Sequence, residues 1–221
     1  MRRLLLPMAL LAASCAPKPH RAFPVGLLGP LSARVAAEAG RLGLETAQTP
    51  PAGAAEISAG GTETFDWARL RLLGARAAAS GASGVYFRLP SVPSGRDALD
   101  YPEEWQAVAR VARELVLMRP IMEGGETAAP PFAVPAGMES RAWGFEGRVY
   151  TLLVNPSAKP LRLDDGSLAE RRALFAVRAD ARQDLAVCGG GRCLPPGGVL
   201  WLEGRLGIRA RLDRGGGTPH P

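Results

Sequence analysis

Residues 141–163 read RAWGFEGRVYTLLVNPSAKPLRL. Two runs of aromatic, aliphatic and β-branched residues, SRAWGF (140–145) and RVYTLLV (148–154), flank the pair Glu146-Gly147. A two-residue connection of this kind suits a tight hairpin, whose central positions favour residues that tolerate positive φ. PLRLD (160–164) then starts a third strand. The period of two continues through the turn DDG (164–166) and the runs ALFAVRA (173–179), DLAVC (184–188) and GGVLWLE (197–203). Short strands separated by turn residues predict an antiparallel β-sandwich of six or seven strands over residues 137–212.

Upstream the period changes. FPVGLL (23–28) is a short apolar run, and Ser32 is placed to cap a helix whose apolar residues Leu31, Val35, Ala39 and Leu42 recur at helical spacing, with Gly43 as its stop. LETAQ (44–48) and AAEIS (54–58) read as the second and third strands. Thr64 caps a helix predicted to run to Ser80. GVYFRLP (84–90) is the fourth strand, with β-branched and aromatic residues between Gly and Pro. In DYPE (100–103), Asp100 reads as the N-cap of a last helix, with Pro102 early and Glu103 reaching back as in a capping box. Trp105, Val108, Val111, Ala112 and Leu115 form its stripe, and Arg119-Pro120 marks its end. Strands alternating with helices predict parallel pairing through right-handed crossovers.

The chain has 221 residues, 47% of them hydrophobic, enough for a sizeable core. Its net charge of +6 comes from 27 Lys+Arg against 21 Asp+Glu. The charges are interleaved rather than gathered in a one-sided stripe, which argues against nucleic acid as a partner. Only two histidines occur, His20 in the Pro-rich stretch APKPHR and His220 in the last residues DRGGGTPHP. Both segments read as unpacked, so Ser-His-Asp or Cys-His catalysis and a His-ligated metal are not expected, and no cofactor is implied. Catalysis would fall to carboxylates. Just past the strand ends the sequence offers Gln48, Glu56, Arg88 and Asp97. Glu56 and Asp97 are the candidate acids, although Glu56 could point into the helix layer and Asp97 could simply serve a turn. Gln48 and Arg88 would complete a ligand face.

The amino terminus carries the layout of an export signal: Arg2 and Arg3, the apolar run Leu4–Leu11, then small residues up to Cys15. The run is too short to span a bilayer as a helix. LAASC (11–15) resembles the lipobox of bacterial lipoproteins. That resemblance implies lipidation of Cys15, removal of residues 1–14, a tether over 15–22 and, where the host has two membranes, the outer one as destination. A plain secretory signal with an incidental cysteine is the other reading. Cys188 and Cys193, in CGGGRC, suit a local disulfide in an exported chain, with a two-cysteine metal site as the runner-up.

Three further stretches, GASGVYFRLPS (81–91), YPEEWQAVARVARELVLMRPIMEGG (101–125) and the opening hairpin, resemble the closing region of many glycoside hydrolases. There a last barrel strand is followed by a helix and then by a C-terminal β-sandwich. Trp105, Glu114, Leu115, Pro120 and Asn155 stand at corresponding places. FPVGLLGPLSARVAAEAGRLGLETAQT (23–49) resembles the first strand and helix of such barrels. The resemblance implies an abbreviated parallel (β/α) barrel-like domain over 23–120, followed by the sandwich. A full (β/α)8 barrel takes about 200 to 250 residues, and the strands that carry the acid/base and nucleophile in that family have no counterpart here. The expected protein is therefore a lipid-anchored, non-catalytic, glycan-binding derivative. A compact or homodimer-completed glycosidase and a protein-binding envelope lipoprotein are the other readings. Trp67, Tyr86, Trp105, Trp143 and Trp201 could stack on sugars, but their spacings suit a core.

Overall fold

The computed structural model describes residues 22–59, 67–163, 172–174, 186–188 and 191–205, with backbone alone for 172–174 and 186–188. The signal segment with Cys15, both histidines, Thr64, the DDG turn, most of ALFAVRA and the last residues lie outside the described residues.

Strand β1 (Val25–Leu28), helix α1 (Ala33–Arg41), strands β2 (Glu45–Ala47) and β3 (Ala55–Ser58), helix α2 (Trp67–Ser80), strand β4 (Val85–Arg88), a 3-10 turn (Ala98–Asp100) and helix α3 (Pro102–Gly124) follow in that order. The four strands are all parallel and form an open sheet in the order β2-β1-β4-β3. The Ser32 hydroxyl accepts from Val35 N at 3.1 Å and caps α1, and Gly43 takes φ +73° just beyond it.

The remaining strands are β5 (Glu126–Ala128), β6 (Glu139–Phe145), β7 (Arg148–Val154), β8 (Leu161–Leu163), β9 (Arg172–Leu174), β10 (Ala186–Cys188), β11 (Gly191–Leu194) and β12 (Val199–Arg205). They make a five-stranded antiparallel sheet, β5-β6-β7-β12-β9, and a three-stranded one, β10-β11-β8. Glu146 and Gly147 take φ +48° and +77°, the two left-handed residues that the β6–β7 hairpin requires. Leu153, Leu200 and Leu202 of the larger sheet share an apolar cluster with Leu163 and Leu194 of the smaller. The larger sheet begins with β5, ahead of Gly137.

The other face of that sheet packs on α2 and α3, whose opposite side covers the parallel sheet. One core therefore runs from Val25, Leu27, Ile57, Val85 and Phe87 through the buried residues of α3 to Trp143, Leu152, Val154 and Trp201. Within it the Glu114 carboxylate accepts from Arg71 Nε at 2.7 Å and Trp201 Nε1 at 3.0 Å, tying α3 to α2 and to β12. Trp201 also stacks on Trp143, with centroids 5.7 Å apart.

Two expectations about α3 are corrected. Its first turn is not capped by Asp100 and Glu103. Asp97 and Asp100 instead form a capping box around the 3-10 turn, and Tyr101 occupies the N-cap of α3 without a side-chain bond. Asp100 is taken up elsewhere, because its carboxylate accepts from Asp97 N and from Arg34. The helix also continues through Pro120 to Gly124. Pro120 forfeits one backbone hydrogen bond, but Ile121 and Met122 beyond it are buried, and their burial offsets part of that loss.

A candidate functional site on the open face of the parallel sheet

Side chains alternate across a strand. Val25, Leu27, Ile57, Val85 and Phe87 point to the helices, so Gly26, Leu28, Glu56, Ser58, Tyr86 and Arg88 belong to the opposite face. Glu56 therefore does not enter the helix layer. The register sets Glu45, Gly26, Tyr86 and Glu56 in one row across all four strands. The row works because position 26 has no side chain. A Cβ there would lie 2.5 Å from Tyr86 Cε1 and 2.7 Å from the Glu45 carbonyl oxygen, so the tyrosine ring crosses β1 only over glycine. Its hydroxyl donates to Glu45 Oε2 at 2.9 Å.

Next to this pair, the Arg88 guanidinium donates through Nε and Nη2 to both oxygens of Glu56, the second bond at 3.2 Å. Arg88 holds the Glu56 carboxyl below its ordinary value. Bidentate geometry of this kind fixes both planes. At the carboxyl end of the sheet, Asp97 accepts from Leu99 N and from the Ser32 hydroxyl, each at 2.9 Å. Asp100 accepts from Asp97 N at 2.8 Å and from Arg34 at 2.9 Å, and these contacts lower its carboxyl pKa. Gln48 is exposed just past β2. The structure thus brings Glu56 and Arg88 together and leaves Gln48 and Asp97 in separate loops. Among the described residues no cluster of three His, Cys, Asp or Glu side chains could hold a metal.

Sequence reasoning missed Glu45. Its place in a predicted strand was visible, but its partner Tyr86 lies 41 residues on and only the register joins them. Burial first, and Glu45 second, push the Tyr86 hydroxyl up to about 12. The neutral phenol is the form that the fold favours. Its stabilisation is fully present below the ordinary tyrosine value of about 10 and is lost as pH rises through about 12. Absorbance titration at alkaline pH should show Tyr86 ionising late, and Glu45→Gln should bring its transition down. A Tyr86 transition at the ordinary value in the wild type would remove this account.

As a pair of acids for glycoside hydrolysis, Glu45 and Glu56 are poorly placed. Three strand spacings separate them, about 14 Å along the sheet, against about 5 to 10 Å between catalytic carboxylates.

No family model matches the chain, and no curated protein matches it. Its structural neighbours are glycoside hydrolases at low identity and partial coverage. Amy13B of Eubacterium rectale is 13% identical at a TM-score of 0.45, over 69% of this chain and 39% of that one. The α-amylase GTA of Geobacillus thermoleovorans, solved with acarbose, is 11% identical at a TM-score of 0.39, over 64% of this chain and 34% of its own. A GH30 endoxylanase of Clostridium papyrosolvens C71 is 12% identical at a TM-score of 0.37, over 83% of this chain and 49% of its own. The chain thus spans less than half the length of each of these three proteins.

Proposed function

We propose that this chain is an exported protein, lipid-anchored through Cys15, whose glycosidase-like scaffold holds a glycan without cleaving it. The observation that carries the scaffold reading is the strand order β2-β1-β4-β3. In a sequential ring of eight parallel strands the first strand is flanked by the second and the last. Removing the middle of such a ring leaves this order, with β3 and β4 as its closing strands. The quoted stretches of sequence point to the same junction. The wide spacing of Glu45 and Glu56, and the ion pair that engages Glu56, favour holding over hydrolysis. No helix among the described residues is long and apolar enough to cross a membrane; the anchor in this reading is the lipid on Cys15.

The loop 48–54 weighs against a second copy completing the ring. It leaves the carboxyl end of β2 on one edge and enters the amino end of β3 on the other. Ser83 N donates to the Gly53 carbonyl and the Ser83 hydroxyl to the Ala52 carbonyl, which ties the loop beneath β4. Five residues from Ala47 to Ala52 reach at most about 18 Å, so the chain takes a short diagonal. Residues 48, 49 and 51–53 are exposed, and a diagonal over the sheet face turned away from the helices would fill the space that a completing half needs. A disulfide between Cys188 and Cys193 belongs to the same proposal. The register sets Cys188 opposite Gly191 and Cys193 opposite Ala186 on adjacent strands.

The test uses the full chain, purified in mild detergent, on immobilised polysaccharides. Retention on at least one glycan without release of reducing ends is the expected result, with the chain leaving the membrane fraction when Cys15→Ser is introduced. Reducing-end release that disappears in Glu45→Gln or Glu56→Gln would make this a compact glycosidase. Failure to be retained on any glycan would leave an envelope protein with another kind of partner.

A further inference from the structure

A concavity lies beneath the amino-terminal end of the parallel sheet. It is a cavity of about 70 Å³ where the ends of α2 and α3 meet β5 and β6, with Phe23, Ser83, Glu123, Thr127, Arg141 and Trp143 among its walls. That volume holds several waters or the hydroxyl-bearing edge of one small ring. Its two charged groups are the unusual feature. Arg141 Nε is buried, with no hydrogen-bond partner among the described residues. The guanidinium sits close against Gly81 at the end of α2 and 5.6 Å from the Trp143 ring. Glu123 Oε1 accepts from Phe23 N at 2.8 Å. Both groups line one small space, yet no ion pair joins them among the described residues.

The Nε is closed off from the cavity as well as from solvent, so the donors that Arg141 can offer to a ligand there are its Nη groups. A guanidinium and a carboxylate that line one cavity without pairing define what would fill it: a group that accepts from one and donates to the other. A bare anion is opposed by Glu123 and by the carbonyl ends of α2 and α3, and a bare cation by Arg141. Hydroxyls on neighbouring carbons do both and carry no charge. Trp143 supplies an apolar wall beside them, the usual mixture of a small-molecule site. We infer that this cavity binds the diol edge of a neutral sugar, with Arg141 donating to one hydroxyl and Glu123 accepting from the next. The inference rests on the glycan-holding reading and moves its contact away from Gln48 and Arg88 to the junction with the antiparallel sheets.

Tryptophan fluorescence of the full chain in detergent, titrated with glucose and with xylose, tests this directly, because Trp143 forms a wall. The expected result is a saturable change that weakens at least tenfold in Arg141→Gln and again in Glu123→Gln, while both variants keep the wild-type melting temperature. Because a variant could fail to fold, competition on wild type is run in parallel, with 1-deoxy sugars and deoxygenated polyols expected to bind progressively more weakly. A response to acetate or to glycine, with none to the sugars, would overturn the assignment in favour of an anion or zwitterion site. Unchanged glycan retention by a folded Arg141→Gln protein would sink this site and leave the glycan reading standing. A wild type retained on no glycan and silent to both sugars would sink both.

Discussion

Replacing Glu114 by Ala should cost about 3 to 5 kcal/mol of folding stability, read as a lowered urea midpoint. Its side chain is 13% exposed and that of Arg71 10%, so the pair lies in the layer between the two halves, where water screens little. Deleting the carboxylate strips the Arg71 Nε of its 2.7 Å contact and leaves the Trp201 indole N–H without its acceptor. Breaking one side of a buried pair is costly because the other charge stays behind. The pair as a whole is another matter, since desolvation offsets much of its attraction. The double variant Arg71→Leu/Glu114→Leu is therefore expected to regain the part of the loss owed to the stranded guanidinium, but not the part owed to the Trp201 N–H, which still lacks its acceptor. A single-variant loss below about 1 kcal/mol would show that the contact behaves like an exposed one. Trp201, 1% exposed, offers a local readout, because its emission should shift when its hydrogen bond goes.

Asn155→Ala should destabilise by about 3 kcal/mol. Asn155 is fully buried at the end of β7. Its amide donates to the carbonyls of Lys159, Leu194 and Pro195 at 2.9, 2.9 and 3.0 Å. Its Oδ1 accepts from the Ser157 N–H and hydroxyl at 3.0 and 2.7 Å. One side chain thus closes the 155–159 turn and fastens it to the end of β11. Asn155→Asp separates hydrogen bonding from volume. It keeps the size and the acceptor but turns a carboxylate toward three carbonyls, so it should cost at least as much as Ala. A mild Asp variant would show that filling the space, not donating to those carbonyls, is what matters. Hydrogen exchange at Gly197, whose N–H donates to the Asn155 carbonyl at 2.9 Å, should quicken in both variants.

Much of the fold was legible because its signals are local. Glu146-Gly147 needs only its own two positive φ values to turn the hairpin, and Ser32 needs only Val35 three residues on. Strands that alternate with helices upstream, and short runs of period two downstream, told the parallel and antiparallel halves apart. The same reading put Glu56 in a strand but could not say which face the helices would cover. The capping of α3 misled because Asp100 has two competing uses, and its carboxylate is taken up by Asp97 N and Arg34.

Amino-acid order by itself determined the helices, most of the strands (β5 and β11 were not foreseen), the change from one period to the other, and the scarcity of histidine that turns any chemistry toward carboxylates. Tertiary structure decided the rest. It selected Glu45 as the partner of Tyr86 by laying a ring over Gly26, joined Glu56 to Arg88, buried Glu114 between Arg71 and Trp201, and set Arg141 and Glu123 on the walls of one cavity. These contacts join residues far apart in the chain. No local pattern encodes them, because their existence depends on which surfaces are removed from water together.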